Sequence, residues 1–269
     1  MADLRIFSYL PNPRVWKSTI AARFCDVTIE LRGAPSGELK TWLWDFDARP
    51  LSEAELLSAT DLARAGTTGF IDTILYKTDA FIQSHPFGTV PAAFSPDGLT
   101  GIFESNSIMR AVARIGVADH ALYGTNPYEA SRIDSFLDSS LVFARDTQIY
   151  LLALLGPSLE PTVHARAKQA FHIYLTAIET ALAPDRAFLV ANDISLADIC
   201  FAMEIALFKN ERSRTARLAE HGLPMIFHDG IFQEYPLAFA HFDRLKAHRH
   251  FRPELDLYLA KQARAEERG

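Results

Sequence analysis

The chain has 269 residues, room for about two domains at roughly 150 residues each. Its 27 Lys and Arg against 33 Asp and Glu leave a net charge of −6, so there is no basic excess to neutralise phosphates and nucleic acid is not an expected partner. Hydrophobic residues make up 49% and charged residues 22%, a mix that excludes a disordered chain and allows a sizeable core. The only cysteines, Cys25 and Cys200, fall outside any Cys-x-x-Cys pattern, which argues against a disulfide framework, a thiol redox pair or a cysteine-rich zinc site. The opening Met1-Ala2-Asp3-Leu4-Arg5 lacks the basic, then apolar layout of a secretion leader, and the longest apolar run, Ile149 to Leu155, is far short of the ~20 residues that span a bilayer. A cytoplasmic protein with no membrane partner is expected.

The first 30 residues read as strand, helix, strand. Leu4 to Ser8 is a compact apolar run, Pro11 and Pro13 mark a loop, and Arg14 to Phe24 carries helical spacing through Val15, Ile20, Ala21 and Phe24. Val27, Ile29 and Leu31 then alternate with polar residues, as in a half-buried strand. Beyond the loop opened by Gly33, Pro35 and Gly37, Ser52-Glu53-Ala54-Glu55 resembles a capped helix start, and a helix is predicted over Leu51 to Ala65. Gly66 to Gly69 interrupts it, and Phe70 to Ile82 resumes helical spacing. Thr89 to Phe94, the turn Ser95-Pro96-Asp97-Gly98 and Leu99 to Phe103 read as a hairpin, followed by a short helix from Ser105 to Arg114.

After Gly124 the strand signals vanish. Helical periodicity runs through Tyr128–Leu155, Val163–Leu182 and Leu196–Glu211, with further helices predicted over Leu237–His248 and Pro253–Arg264. Ser195-x-x-Asp198 opens the third as a capping box, with Ile194 placed to staple it. The nine histidines form no His-x-x-x-His ladder, and His248-x-His250 would point its rings to different sides of a helix, so no metal is expected.

Three stretches resemble the glutathione transferase superfamily. The first, Ile6-Phe7-Ser8-Tyr9-Leu10-Pro11-Asn12-Pro13-Arg14-Val15-Trp16-Lys17, is similar to the opening of the transferase-like domain of the elongation factor one gamma subunit. The second is His85-Pro86-Phe87-Gly88-Thr89-Val90-Pro91 with Phe103-Glu104-Ser105-Asn106-Ser107-Ile108. The third is Phe188 to Asp198, joined by Ser135-Phe136-Leu137-Asp138-Ser139. The resemblance implies an N-terminal thioredoxin-like domain (βαβ–ββα) over 1–118 and an all-helical C-terminal domain over 125–269, the glutathione transferase fold. An inserted segment at about 39–70 falls outside it.

The resemblance also implies a site. Val90–Pro91 would be cis, with Thr89 and Val90 exposing backbone to the cysteine moiety of glutathione. Glu104 and Ser105 would hold its γ-glutamyl carboxylate where a strand gives way to a helix, and Asp138 would reach its ammonium, across a homodimer interface. Lowering a thiol pKa from about 8.5 by two units needs about 2.7 kcal/mol, which hydrogen-bond donors and a helix N-terminus supply. Asn12, Tyr9 and Ser8 are the candidate donors, with Asn12 first, and Arg14 ahead of Lys17 is the candidate cation. An apolar, aromatic electrophile is the expected second substrate, met by Leu10, Trp16, Phe136, Ser140 and Phe143. A non-catalytic interaction module and a glutathione-dependent disulfide reductase or peroxidase are the alternatives. Asp198 reads as a folding residue, Cys200 as core. In the insertion, Trp42, Trp44 and Phe46 are read either as a satellite core under the Leu51–Ala65 helix or as a lid in which Trp44 meets the electrophile.

Overall fold

A computed structural model describes residues 2–67, 69–116, 121–183 and 186–266, and its contacts divide the chain into two units, 1–120 and 121–269. Residue 118, the expected end of the first domain, lies outside the described residues.

The first unit opens with β1 (Leu4–Tyr9), α1 (Pro13–Cys25) and β2 (Ile29–Ala34). Leu4, Ile6 and Ser8 are buried on one face of β1 while Phe7 is buried on the other, the period-two pattern of a strand covered on both sides. α1 begins at Pro13, where the missing N–H costs nothing, and Asn12 caps it by accepting from the Arg14 N–H at 3.0 Å.

The next segment departs from expectation. It forms β3 (Trp42–Trp44), β4 (Arg49–Pro50), α2 (Glu53–Ser58), β5 (Ala63–Ala65) and β6 (Ile74–Lys77), a second sheet of order β4-β3-β6-β5. The capping box at Ser52 and Glu55 is present, but α2 stops after six residues because none of them is buried, leaving no apolar face to sustain a longer helix. The predicted helix over Leu51–Ala65 is therefore short. The helical reading of Phe70–Ile82 is replaced by β6, whose Leu75 and Lys77 bury at alternate positions, and by α3 (Asp79–Ser84), capped by the Thr78 hydroxyl. Pairing of Ala63–Ala65 with Ile74–Tyr76 overrides helix propensity on both sides of the turn.

β7 (Ala92–Phe94) and β8 (Gly101–Phe103) form the predicted hairpin, and α4 (Ser105–Ile115) follows. The main sheet has the order β2-β1-β7-β8, with β1 parallel to β2 and antiparallel to β7, the thioredoxin-like arrangement. On one face Phe7, Phe81, Phe94 and Trp44 form a common core, Trp44 edge-on to Phe7 at 5.3 Å and to Phe81 at 5.9 Å.

The second unit is helical: α5 (Pro127–Ala153), α6 (Pro161–Leu182), α7 (Leu196–Phe208), α8 (Thr215–Glu220), α9 (Ile231–Glu234), α10 (Pro236–Ala247) and α11 (Arg252–Glu266). The short α8 and α9 carried no readable periodicity. Every residue of α7 but Leu207 is buried, as expected of a helix apolar on all sides. Its start is tied down by Asp198, which accepts from the Leu189 N–H at 3.0 Å, the Ser195 N–H at 2.8 Å and the Ser195 hydroxyl at 2.7 Å. His241 Nε2 of α10 meets the same carboxylate at 2.8 Å, while Arg244 donates to Nδ1 at 3.1 Å, which leaves the proton on Nε2. Among the described residues no helix is long and apolar enough to cross a membrane.

Candidate functional site

The site is built by strand register. β1 pairs with β7 through Phe7 opposite Ala92, and β7 pairs with β8 through Ala92 opposite Phe103. Tyr9 lies beyond Phe7 on β1, Val90 precedes Ala92 of β7 and Ser105 follows Phe103 of β8, so all three come at the same end of these ladders. Three stretches separated by some 80 and 15 residues of sequence thus converge on one end of one sheet.

At that end Val90–Pro91 is cis, as expected, and Leu10–Pro11 is cis as well. Thr89, Val90 and Pro91 are half-buried. Glu104 is exposed and holds φ +68°, a value a non-glycine residue rarely adopts, just before α4 begins at the buried Ser105. Such backbone strain clusters where a site requires it, and here it sits at the opening of a helix.

The thiol-activating candidates separate cleanly. Ser8 is fully buried, and its hydroxyl accepts from Asn12 Nδ2 at 3.2 Å. Asn12 is also buried, with its carbonyl committed to the α1 cap, so the helix-capping role accounts for the residue. Tyr9, at the end of β1, is the one of the three with surface at this end of the sheet. Arg14 is half-buried in the first turn of α1. Lys17 is corrected from a ligand-holding cation to a core residue: it is fully buried and donates to Asn106 Oδ1 of α4 at 2.8 Å.

The proposed pocket residues divide similarly. Leu10 is half-buried, but Trp16 is buried on α1. Trp44 is not a lid residue: it has no exposed surface, its indole N–H donates to the Leu39 carbonyl at 3.0 Å, and Phe7, Phe70 and Phe81 surround it. It packs into the main core, while the helix expected to cover it has no buried residue. In the second unit, Asp138 is exposed on α5 and Phe136 is half-buried beneath the Arg132 guanidinium, 5.0 Å from the ring centroid. Ser140 is fully buried, donating to the Leu137 carbonyl at 2.6 Å and accepting from Cys200 Sγ at 3.1 Å. Phe143 is core, stacked on Tyr174 at 4.5 Å.

Two buried polar residues of the first unit, His85 and Lys77, are not read as buried in the sequence analysis. His85 has no exposed surface to speak of and lies stacked on Phe81 and edge-on to Phe94; burial lowers its pKa to about 4. Lys77 is buried on the apolar side of β6. A lysine in phase with Leu75 in a period-two run was the available signal, hidden because the run was read as helix.

No family model matches the chain. Elongation factor 1-gamma of Trypanosoma cruzi is 32% identical over 129 residues, which cover 45% of this chain and 28% of that protein. The same factor from Artemia salina is 33% identical over 168 residues, 61% of this chain and 36% of that protein. The chain therefore spans about a third of the length of these curated relatives. Among solved structures, a glutathione S-transferase of Methylobacterium radiotolerans in complex with glutathione sulfonate superposes with a TM-score of 0.62 at 17% identity, covering 94% of both chains. A delta-class glutathione transferase of Nilaparvata lugens gives 0.63 at 13% identity, covering 98% of both. The chain has the glutathione transferase fold and is distantly homologous to the transferase-like region of elongation factor 1-gamma.

Proposed function

We propose that the chain is a glutathione transferase: it binds glutathione at the sheet end shared by Tyr9, Val90–Pro91 and Glu104–Ser105 and directs its thiolate at an apolar, aromatic electrophile. The register that brings those three stretches together carries this reading. The Thr89 and Val90 backbone pairs with the cysteinyl part of the ligand, and the strained Glu104 turns the N-terminus of α4 and the Ser105 hydroxyl toward the γ-glutamyl carboxylate. The Tyr9 hydroxyl, at the end of β1, donates to the thiolate in preference to Asn12, and Arg14, in the first turn of α1, adds positive potential. The thiolate sulfur attacks the electrophilic carbon and the leaving group departs with the bonding pair. Two copies pair, and Asp138 meets the ammonium of glutathione held by the partner subunit. A reducing, cytoplasmic setting suits a free-thiol co-substrate.

Calorimetric titration with glutathione, followed by turnover assays on aryl halides, β-aryl ethers and epoxides, tests the reading. Ser105→Ala, which removes a donor to the γ-glutamyl carboxylate, and Glu104→Ala, which removes a carboxylate able to accept from the γ-glutamyl ammonium, should each weaken glutathione binding by about 1.5–3 kcal/mol, the worth of a charge-assisted hydrogen bond. Unchanged affinity in both variants places glutathione elsewhere. The match to elongation factor 1-gamma favours one second reading, a non-catalytic interaction module. Glutathione binding with no turnover of any electrophile would select it.

A further inference from the structure

The Lys77 side chain rises from the last position of β6, where the register sets it beside Trp44 of β3. It is 2% exposed, and its Nζ donates to the Gly88 carbonyl at 2.7 Å and lies 4.9 Å from the Trp44 ring. No carboxylate pairs with it among the described residues. An amine so placed is costly: burying an ammonium without a counter-charge is opposed by several kcal/mol, and burial here lowers the Lys77 pKa. A methionine or leucine would fill the same space without that cost, so the one hydrogen bond it makes is the feature to explain.

That bond lands on the turn that leads into Val90–Pro91. Gly88 sits at φ +59°, its N–H donates to the His85 carbonyl at 2.7 Å, and its carbonyl receives Lys77. A Cβ at Gly88 would stand 3.1 Å from Lys77 Nζ, a crowded approach, and the positive φ itself favours glycine there. The amine belongs to the second sheet and the turn leads into the main sheet, so Lys77 bonds the second sheet directly to the ligand loop.

We infer that Lys77 is a positioning residue: it holds the Gly88 carbonyl so that the Thr89–Val90 backbone faces the ligand, and the inserted sheet thereby serves as a brace for the glutathione loop rather than as a lid. The inference rests on the glutathione reading above. A purely structural lysine and a positioning lysine differ in one respect. Removing a structural residue lowers stability and affinity together. Removing a positioning residue that is itself poorly solvated lowers affinity and leaves stability intact or improved.

The test is Lys77→Met in the full chain, which keeps the volume over Trp44 and removes the donor. The expected result is a glutathione Kd raised about tenfold, faster hydrogen exchange at the Gly88 amide, and an unfolding midpoint equal to or above that of the parent. Unchanged affinity and unchanged Gly88 exchange overturn the inference, as does a loss of affinity that only tracks a lowered midpoint. Should the variant not fold, exchange on the parent protein decides: glutathione should protect β6 residues 74–77 together with Gly88, and protection confined to the ligand loop and residues 104–105 overturns the brace. A parent protein that binds no glutathione overturns the functional reading and this one with it, whereas a parent that binds and a Lys77→Met variant that binds equally overturn this one alone.

Discussion

His85 stands at the foot of the ligand loop with neither ring nitrogen in a well-formed hydrogen bond, its ring enclosed by Phe81 and Phe94. Burial holds its pKa at about 4, and the Ala93 backbone offsets little of this. In the unfolded chain a histidine titrates near 6.5, so below that pH the unfolded state takes up a proton that the folded state refuses. Stability is therefore independent of this residue above about pH 6.5, falls as the pH drops towards 4, and levels off below it. Urea midpoints followed from pH 8 to pH 4 should show that decline, and His85→Phe, which suits an aromatic enclosure, should flatten this part of it; an equal decline in the variant would acquit His85. Asn12 and Tyr9 separate at the same scale. Asn12→Ala removes a helix cap and the donor to Ser8, and should cost about 0.5–2 kcal/mol of stability. Tyr9→Phe should leave stability unchanged while lowering turnover at saturating glutathione. The reverse pattern would return the thiol-activating role to Asn12.

The inserted sheet gains its stability from the main core, to which Trp44 contributes the largest side chain. Trp44→Ala should destabilise the protein by about 3–5 kcal/mol in denaturant titration, the usual cost of emptying a large aromatic from a core. A changed kcat/KM with no change in stability would revive the lid. Arg5 fastens the other end of the insertion, its guanidinium 3.9 Å over the Phe46 ring and paired with Glu30 and Asp47 at the rim. By contrast α2 contributes a capped but solvated turn whose Leu57 is 84% exposed, so Leu57→Gln should change stability by no more than about 0.5 kcal/mol. In the second unit the capping box of α7 does more than cap. Asp198→Ala would strand the Leu189 and Ser195 amides and the His241 Nε2 proton at about 1–3 kcal/mol each, so the variant should lose several kcal/mol or fail to fold. A mild loss, of the size of an ordinary N-cap, would show that the His241 contact carries no weight.

At the scale of the molecule, each unit has a core of its own, one built on a sheet covered on both faces and one on the buried α7. The second unit also leaves Val142, Ile149 and Ile173 exposed on α5 and α6, apolar surface of the kind that pairing would cover. Light scattering at micromolar concentration should give twice the mass of the chain. A monomer would remove the cross-subunit role of Asp138 while leaving the glutathione site of the first unit intact.

Periodicity and turn chemistry alone sufficed for β1, α1, the β7–β8 hairpin, α4 and the long helices, because each buries one face and announces it in the spacing of its apolar residues. The Ser195–Asp198 box was legible for the same reason, its geometry being local to a few residues, whereas the cis Val90–Pro91 bond followed from the family resemblance. The sequence could not assign Ala63–Ala65 and Ile74–Lys77, since three or four residues hold too little pattern to tell strand from helix until a partner strand is supplied. Nor could it sort exposed from buried polar groups. Lys17, Lys77, His85 and Asn12 are all polar residues, and only tertiary packing decided that each would lie beneath the surface, where one hydrogen bond or one aromatic wall determines what it does.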